Sequence, residues 1–296
     1  MRLRLVAALS AATAVSLTAC GSADRTATIP RPTPTAASST AAATANCTPP
    51  ATASYKPSSL SASGGAVGAI KKKGKLVVGI SADSRLLGSR NLVTGQFEGI
   101  DIEMAKRVSQ ALFGDSTPEH LVYKTINAAQ RIQLLTNDKI DMVARAMSMT
   151  CDRWKQVAFS EPYFLATQRV LVRNGSKETS LQALSDAGKA QGATKRKVCA
   201  TSGSTSIQRL TPQAYPGIQP VGVALTTDCL VLWQQGQVDA ITGDDAILAG
   251  LSQQDPAAEV EQVPAGGVDG EGLTEPPRRR RRHCESGGTY GHVISG

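Results

Sequence analysis

Alternating apolar and polar stretches in the middle of the chain predict an α/β fold. Residues 75–80 (KLVVGI) form an apolar run as long as a buried strand, and residues 100–113 then repeat apolar positions at helical spacing. Two further strands are predicted at 121–124 and 140–146, with a helix over 128–135 between them. Strands that alternate with helices are typical of a parallel sheet covered by helices.

The same pattern starts again further along the chain. The predicted elements of this second unit are strands at 197–200, 218–221 and 238–242, a helix that opens over 205–210 and a helix over 228–235. The apolar run 168–173 (QRVLVR) is well placed to cross from one unit to the other. We therefore predict two α/β lobes, over 66–170 and 171–264.

The first twenty residues have the pattern of a bacterial export signal. Arg2 and Arg4 precede an apolar run over 5–17, which as a helix of about 20 Å is too short to cross a ~30 Å hydrocarbon core. Cys20 follows in Leu-Thr-Ala-Cys, which resembles a lipobox. We expect 1–20 to be a lipoprotein signal peptide and Cys20 to carry the lipid that holds the protein on the extracytoplasmic face of the cell membrane. An ordinary secretory signal is the alternative.

Composition changes sharply after the signal. Residues 21–65 are rich in Thr, Ala, Ser and Pro, and Tyr55 is their single aromatic residue. Too little apolar surface is present to offset the entropy lost on ordering, so we expect a disordered tether.

The net charge and the few histidines argue against nucleic-acid binding and against histidine-based catalysis. The formal charge is +8, and removing the two arginines of the signal and the five at 278–282 leaves +1, which does not indicate a nucleic-acid surface. Of three histidines, His283 and His292 lie near the end of the chain and His120 stands alone in a loop. No Cys-x-x-Cys pair occurs either. We therefore expect no metal site, no cofactor and no histidine-based catalysis.

Six cysteines in an exported chain indicate disulfides. With Cys20 assigned to lipid and one cysteine in the tail, four remain, which allow three pairings. We favour Cys199 with Cys229, because one lies in a predicted strand and the other at the start of the helix leading to a neighbouring strand. That choice leaves Cys47 to join Cys151.

Six ordered motifs carry a family resemblance across roughly 70–255. They are GKLVVGI (74–80), GQFEGIDIEMAKRV (95–108), DKIDMVARAMSMTCDR (138–153), FSEPYF (159–164), VCATSGSTS (198–206) and GQVDAITGDDAILAGL (236–251). In this order and spacing the chain resembles type II solute-binding proteins for polar amino acids, in particular the glutamate- or glutamine-binding lipoproteins of ABC importers in high-GC Gram-positive bacteria. The resemblance implies a two-lobed α/β fold that closes on its ligand.

The resemblance also implies ligand-binding residues in the first lobe. Arg153 matches the arginine that binds the ligand's α-carboxylate, for which a guanidinium supplies two parallel donors. Ser148 matches a further donor, and the Ala146 carbonyl is expected to face the ammonium.

In the second lobe, the matched residues lie at two strand-to-helix turns. Ser204 and Thr205 precede a helix whose first N–H groups point at an anion. Asp244 matches the acid that binds the ammonium. The alternative is that Asp244 or its neighbour Asp245 is only a helix N-cap.

Two arginines depart from the family pattern and indicate an acidic ligand. Arg145 stands where common members have a small residue. Arg85 and Ser81, in or beside the first loop, also belong to the predicted set of ligand-binding residues. Ala128 and Ser84 occupy regions where those members place aromatic residues. Cationic groups in place of aromatic ones favour a second carboxylate on the ligand. Alternatively, Arg145 makes a structural ion pair with Asp141 or Glu103.

The end of the chain departs from the family. Residues 265–296 lack apolar periodicity and include five consecutive arginines at 278–282, as a shifted reading frame would produce. We expect this tail to be disordered and the first lobe to lack its closing strand and last helices.

These inferences predict a monomeric, lipid-anchored receptor that binds glutamate, glutamine, aspartate or asparagine and delivers it to an ABC permease. A sensor module for a membrane receptor would have the same site. A carboxylate-based dehydratase on this fold is the enzymatic alternative, although we expect no enzyme.

Overall fold

The structure, a computed structural model, describes residues 65–160 and 162–261 and the backbone of 288–290 and 293–294. All of these belong to one compact unit, 32–296. The predicted signal, the cysteine expected to carry lipid and the predicted tether lie outside the described residues, apart from the last residue of the tether. None of the helices in the described part has the length and apolar character needed to span a membrane.

The first lobe is a parallel sheet with helices packed on it, as predicted. Its elements in chain order are α1 Gly65–Lys73, β1 Leu76–Ile80, β2 Asp83–Ser84, β3 Gly88–Arg90, β4 Phe97–Glu98, α2 Ile100–Phe113, β5 Leu121–Thr125, a 3₁₀ turn Ala128–Gln130, α3 Arg131–Thr136, β6 Met142–Ala144, α4 Cys151–Trp154, β7 Ala158–Phe159 and β8 Phe164–Ala166. Strand β1 lies between β5 and β6, and Val78 pairs with Tyr123 on one side and Met142 on the other.

Helix α2 shows why the sequence folds in this way. Ile102 and Ala105, three residues apart, are fully buried against the sheet. The helix ends at Phe113 and is capped by Gly114, whose φ of 90° lies in the left-handed region that a residue without Cβ adopts most easily.

The second lobe repeats the arrangement with a continuous segment of chain. Its elements are β9 Gln168–Arg173, α5 Leu181–Lys189, β10 Arg196–Thr201, α6 Thr205–Arg209, β11 Ile218–Val223, α7 Thr226–Gln234, β12 Ala240–Asp244, α8 Asp245–Ser252 and β13 Ala258–Val260. The sheet order is β11-β10-β12-β9-β13. Strand β9 pairs antiparallel with β12, so the run expected to cross between the lobes is itself a strand of the second sheet.

Two short strands near the end of the chain pair with the first lobe. Strand β14 (Gly288–Tyr290) pairs antiparallel with β8, and β15 (Val293–Ile294) lies between β6 and β7, antiparallel to both. The expectation that the first lobe has no strand from the residues after 264 is therefore corrected, because β15 joins β6 to β7 and β14 pairs with β8.

Each lobe has its own apolar core. In the first lobe the core includes Leu76, Val78, Ile80, Ile102, Leu121 and Met142, and in the second it includes Leu171, Leu230, Leu232, Trp233, Ile241 and Leu251.

The predicted disulfide between Cys199 on β10 and Cys229 on α7 is present in the second core. Cys151 is also disulfide-bonded. The proposed partner of Cys151, Cys47, lies outside the described residues.

Candidate functional site

A cavity lies between the lobes, where the strands of both sheets end. Carboxyl ends of parallel strands are the usual ligand site of open α/β sheets. The first lobe contributes Ser84, Ala128, Arg131, Arg145, Ala146 and Ser148, and the polar residues from the second lobe are Thr201, Ser204, Thr205, Ser206, Thr226, Thr242 and Asp244. The cavity wall therefore carries guanidinium groups on one lobe and hydroxyls with one carboxylate on the other.

Arg145 follows β6 directly and is 5% exposed. Its Nε donates to the Ile126 carbonyl at 2.8 Å, and its Nη2 lies 3.8 Å from Asp83 Oδ1. Burial lowers the pKa of Arg145, while the nearby carboxylates oppose that shift. The side chain is thus a buried cation on the cavity wall.

The structural ion pairs suggested for Arg145 do not form. Asp141 is bonded to Lys73 at 2.6 Å, and Glu103 to Lys106 at 2.6 Å. Both acids already have a lysine partner, and Arg145 instead forms an ion pair with Asp83 at 3.8 Å.

Arg131 is a cavity residue that the sequence analysis missed. It is 3% exposed, and its guanidinium donates to the Ala128, Arg145 and Ala146 carbonyls and, across the cleft, to the Gly203 carbonyl at 3.0 Å. The one available signal is its position four residues before the buried Leu135, on the inward face of α3.

Arg153 lies beside the cavity rather than on its wall. It is 7% exposed and lines an adjoining cleft together with Arg131 and Gly203. Its Nη1 donates to the Ser148 carbonyl at 2.8 Å and its Nη2 to the Gly203 carbonyl at 3.0 Å. Burial lowers its pKa to about 10, an effect that the charge of Asp244 opposes, so the group is a cation at neutral pH.

A buried acid beneath the first lobe's site was also missed. Asp101, fully buried at the start of α2, accepts hydrogen bonds from the Tyr163 hydroxyl and, at 3.0 Å, from the Ala146 N–H. Burial raises the pKa of Asp101, and the charges of Arg145 and Arg131 oppose this rise. Asp101 thus fixes Ala146, which has a positive φ of 39°.

Asp83, the first residue of β2, forms hydrogen bonds that link the two lobes. One oxygen accepts from the Ser81 hydroxyl at 2.7 Å, and the other accepts from the backbone N–H groups of Thr226 and Thr227, at 2.7 and 3.2 Å. These N–H groups begin α7, where a carboxylate is favoured by the helix dipole. Sequence reasoning did not identify Asp83.

The second lobe's residues sit at helix starts, as predicted. Ser204 is the N-cap of α6 and accepts from the Ile207 N–H at 3.2 Å. The Thr205 hydroxyl lies 3.2 Å from the Ser148 hydroxyl across the cavity. Asp244 occupies the N-cap position of α8 but makes no capping hydrogen bond with its side chain, which is on the cavity wall.

Two members of the predicted ligand set lie away from the wall. Arg85 is exposed and is not a lining residue. Ser81 is buried, but its hydroxyl is bonded to Asp83 and to the Ser84 hydroxyl rather than facing the cavity. Among the described residues, no cluster of His, Cys, Asp and Glu could hold a metal ion.

Comparison with known sequences identifies relatives of the same architecture. Residues 76–263 match the model of the bacterial extracellular solute-binding proteins, family 3. The glutamine-binding protein of Geobacillus stearothermophilus is 37% identical over 187 residues, 63% of this chain and 67% of that protein. The glutamate-binding protein GluB of Corynebacterium glutamicum is 31% identical over 185 residues, 62% and 60% of the two chains. The chain thus spans about two thirds or less of the curated relatives' lengths.

A solved structure shares the fold. Truncated, arginine-bound ArgBP from T. maritima superposes with a TM-score of 0.60 at 26% identity, covering 77% of this chain and 91% of that one. The family match extends over more than half of the 296 residues. This chain belongs to the bacterial extracellular solute-binding proteins, family 3.

Proposed function

We propose that this chain is an extracytoplasmic receptor that binds a polar or acidic amino acid between its lobes and delivers it to an ABC permease. One observation carries the proposal: guanidinium groups of the first lobe and the Asp244 carboxylate of the second line the same cavity. A free amino acid carries both a carboxylate and an ammonium, and each must be paired when water is excluded.

The ligand's α-carboxylate would accept the hydrogen bonds that the Gly203 carbonyl accepts in this structure. Arg131 and Arg153 both donate to that oxygen across the cleft. A carboxylate accepts more strongly than a carbonyl, and Arg153 can offer it two N–H groups. The Ser148 and Thr205 hydroxyls, 3.2 Å apart, would add one donor from each lobe.

At the ammonium end, Asp244 would be the counter-charge. Its side chain is 7% exposed, and Asp244 lines the cavity. With its ammonium bound to Asp244 of lobe 2 and its carboxylate bound to lobe 1, the ligand would link the two lobes. Ligand binding would therefore stabilise lobe closure.

The relatives support binding rather than catalysis. The two curated proteins are named for glutamine and glutamate binding. The family assignment supports an ABC permease as the partner. We further propose that Cys20 carries a lipid anchor and that the protein acts as a monomer, both from the sequence alone.

Calorimetry on the chain from residue 21 onward tests the proposal. Titration with the twenty amino acids should give saturable, one-to-one binding for at least one of glutamate, glutamine, aspartate and asparagine. Absence of heat with every amino acid, at concentrations up to the millimolar range typical of weak sites, would contradict it.

A gene deletion separates delivery from sensing. Loss of uptake of the bound amino acid is expected if the protein serves a permease, whereas unchanged uptake would favour a sensor for a membrane receptor. Replacement of Cys20 by alanine should release the protein from the membrane fraction, and retention there would exclude Cys20 as the anchor.

A further inference from the structure

We propose that the ligand carries a second anionic group and that Arg145 selects it, so that the ligand class is an acidic amino acid rather than its amide. This inference rests on the proposed function, because it assigns specificity within the same cavity. It goes further by naming the residue that distinguishes an acid from an amide.

The first observation is an unpaired donor. Arg145 lines the cavity and is 5% exposed, and its Nε is occupied by the Ile126 carbonyl. Its Nη2 is buried and has no hydrogen-bond partner in the described part of the chain. A buried charged donor without an acceptor is unfavourable, and a carboxylate entering the cavity would supply the acceptor.

The second observation is that the two acids near Arg145, Asp83 and Asp101, already accept hydrogen bonds from other groups. Asp83 Oδ1 is 3.8 Å from Arg145 Nη2, beyond hydrogen-bonding distance, and both Asp83 oxygens accept shorter bonds from Ser81 and Thr226. The two Asp101 oxygens accept from Tyr163 and from the Ala146 N–H. Neither acid can turn to Arg145 without abandoning these bonds.

The third observation concerns charge balance. Arg131 and Arg145 lie on the cavity wall with Arg153 beside it. Asp244 is the carboxylate on that wall in the described chain, and Asp83 and Asp101, which are not lining residues, also act electrostatically on Arg145. A zwitterionic amide adds no net charge to this set. An acidic amino acid adds one negative charge, and attraction between opposite charges is strong where water is excluded.

The residues that line the cavity together with Arg145 include Ala128 and Ser84, which both have short side chains. The distal carboxylate of the ligand would lie here, while its α-carboxylate and ammonium would lie toward Arg153 and Asp244.

Calorimetry with two acid and amide pairs tests the inference. Wild type should bind L-glutamate or L-aspartate at least about tenfold more tightly than the corresponding amide. In Arg145→Met, which keeps the length but removes the donors, the affinity for the acid should fall by about tenfold or more, while that for the amide changes by less than about threefold. Arg107→Met, an equal change at an exposed site on α2, is the matched control and should leave all four affinities unaltered.

Two results of these titrations would overturn the inference. A wild type that prefers the amide would refute it, as would an acid-to-amide ratio that stays the same in Arg145→Met. If that variant fails to fold, Arg145→Lys must lower the ratio, because an ammonium lacks the planar pair of donors. Amide binding with an unchanged ratio would leave the proposed function standing, whereas absence of all binding would remove both.

Discussion

The two lobes build their halves of the cavity by different physical means. Lobe 1 brings buried guanidinium groups to the wall, where they donate to backbone carbonyls, and the fully buried Asp101 holds Ala146 at a positive φ. Lobe 2 brings hydroxyls and one carboxylate on helix N-termini, within a core that a disulfide ties together. Buried charges require paired partners, whereas N-terminal hydroxyls satisfy themselves locally. The first half should therefore be much more sensitive to single substitutions.

The largest effect is expected at Asp101. Asp101→Ala would leave the Ala146 N–H and the Tyr163 hydroxyl without their acceptor and would remove a carboxylate near Arg145 and Arg131. The free energy of unfolding should fall by about 3–5 kcal/mol. Urea denaturation followed by circular dichroism measures this change. Asp101→Asn retains one oxygen acceptor and should lose only about 1–2 kcal/mol. Equal losses in the two variants would show that packing, and not the acid, supports this lobe.

Removal of the disulfide should have a smaller effect and act on lobe 2. Cys199 and Cys229 are separated by 30 residues, and the double change to serine should lower the free energy of unfolding by about 2–4 kcal/mol. Urea denaturation of the oxidised wild type and of the double variant gives the difference. If the variant unfolds at the same urea concentration as the wild type, the disulfide contributes nothing to the stability of this lobe.

The smallest effect is expected at Ala146 and has the opposite sign. Its φ of 39° is disfavoured for a residue with a Cβ, so Ala146→Gly should stabilise the chain by about 1 kcal/mol. Thermal unfolding measures the gain. Ala146→Val, with a branched side chain at the same backbone angle, is the comparison and should be destabilising. A destabilising glycine would mean that lobe 1 carries no strain here.

The parts of the fold that follow from local patterns were predictable. Helix α2 was bounded at Ile100 and Phe113 in agreement with the structure, because its buried positions recur at helical spacing and a glycine follows. Helix α5 was missed: its buried face includes a serine and a glycine, Ser185 and Gly188, so hydrophobic spacing alone does not reveal it. The clearer signal was Ser180, which caps the helix by accepting from the Ala183 N–H.

The site was predictable where side chains directly follow buried strands. Arg145 and Ser148 come after β6, and Asp244 ends β12, so the parallel sheets carry them to the cavity. Arg131 and Asp83 were missed because their roles depend on contacts between the lobes, with Gly203 and with α7, and no local pattern encodes such contacts. Arg85 and Arg145 have the same side chain, and only the backbone path decides that one is exposed and the other buried.

The central claim is that opposite charges on the two lobes hold an amino acid between them, with Asp244 binding its ammonium. Calorimetry should compare the tightest-binding amino acid with its analogue lacking the amino group, in wild type, in Asp244→Asn and in the neighbouring control Asp245→Asn. The account predicts that wild type and the control prefer the amino acid by about 100-fold or more, and that Asp244→Asn reduces this preference to about tenfold or less. An equal preference in all three proteins would contradict it.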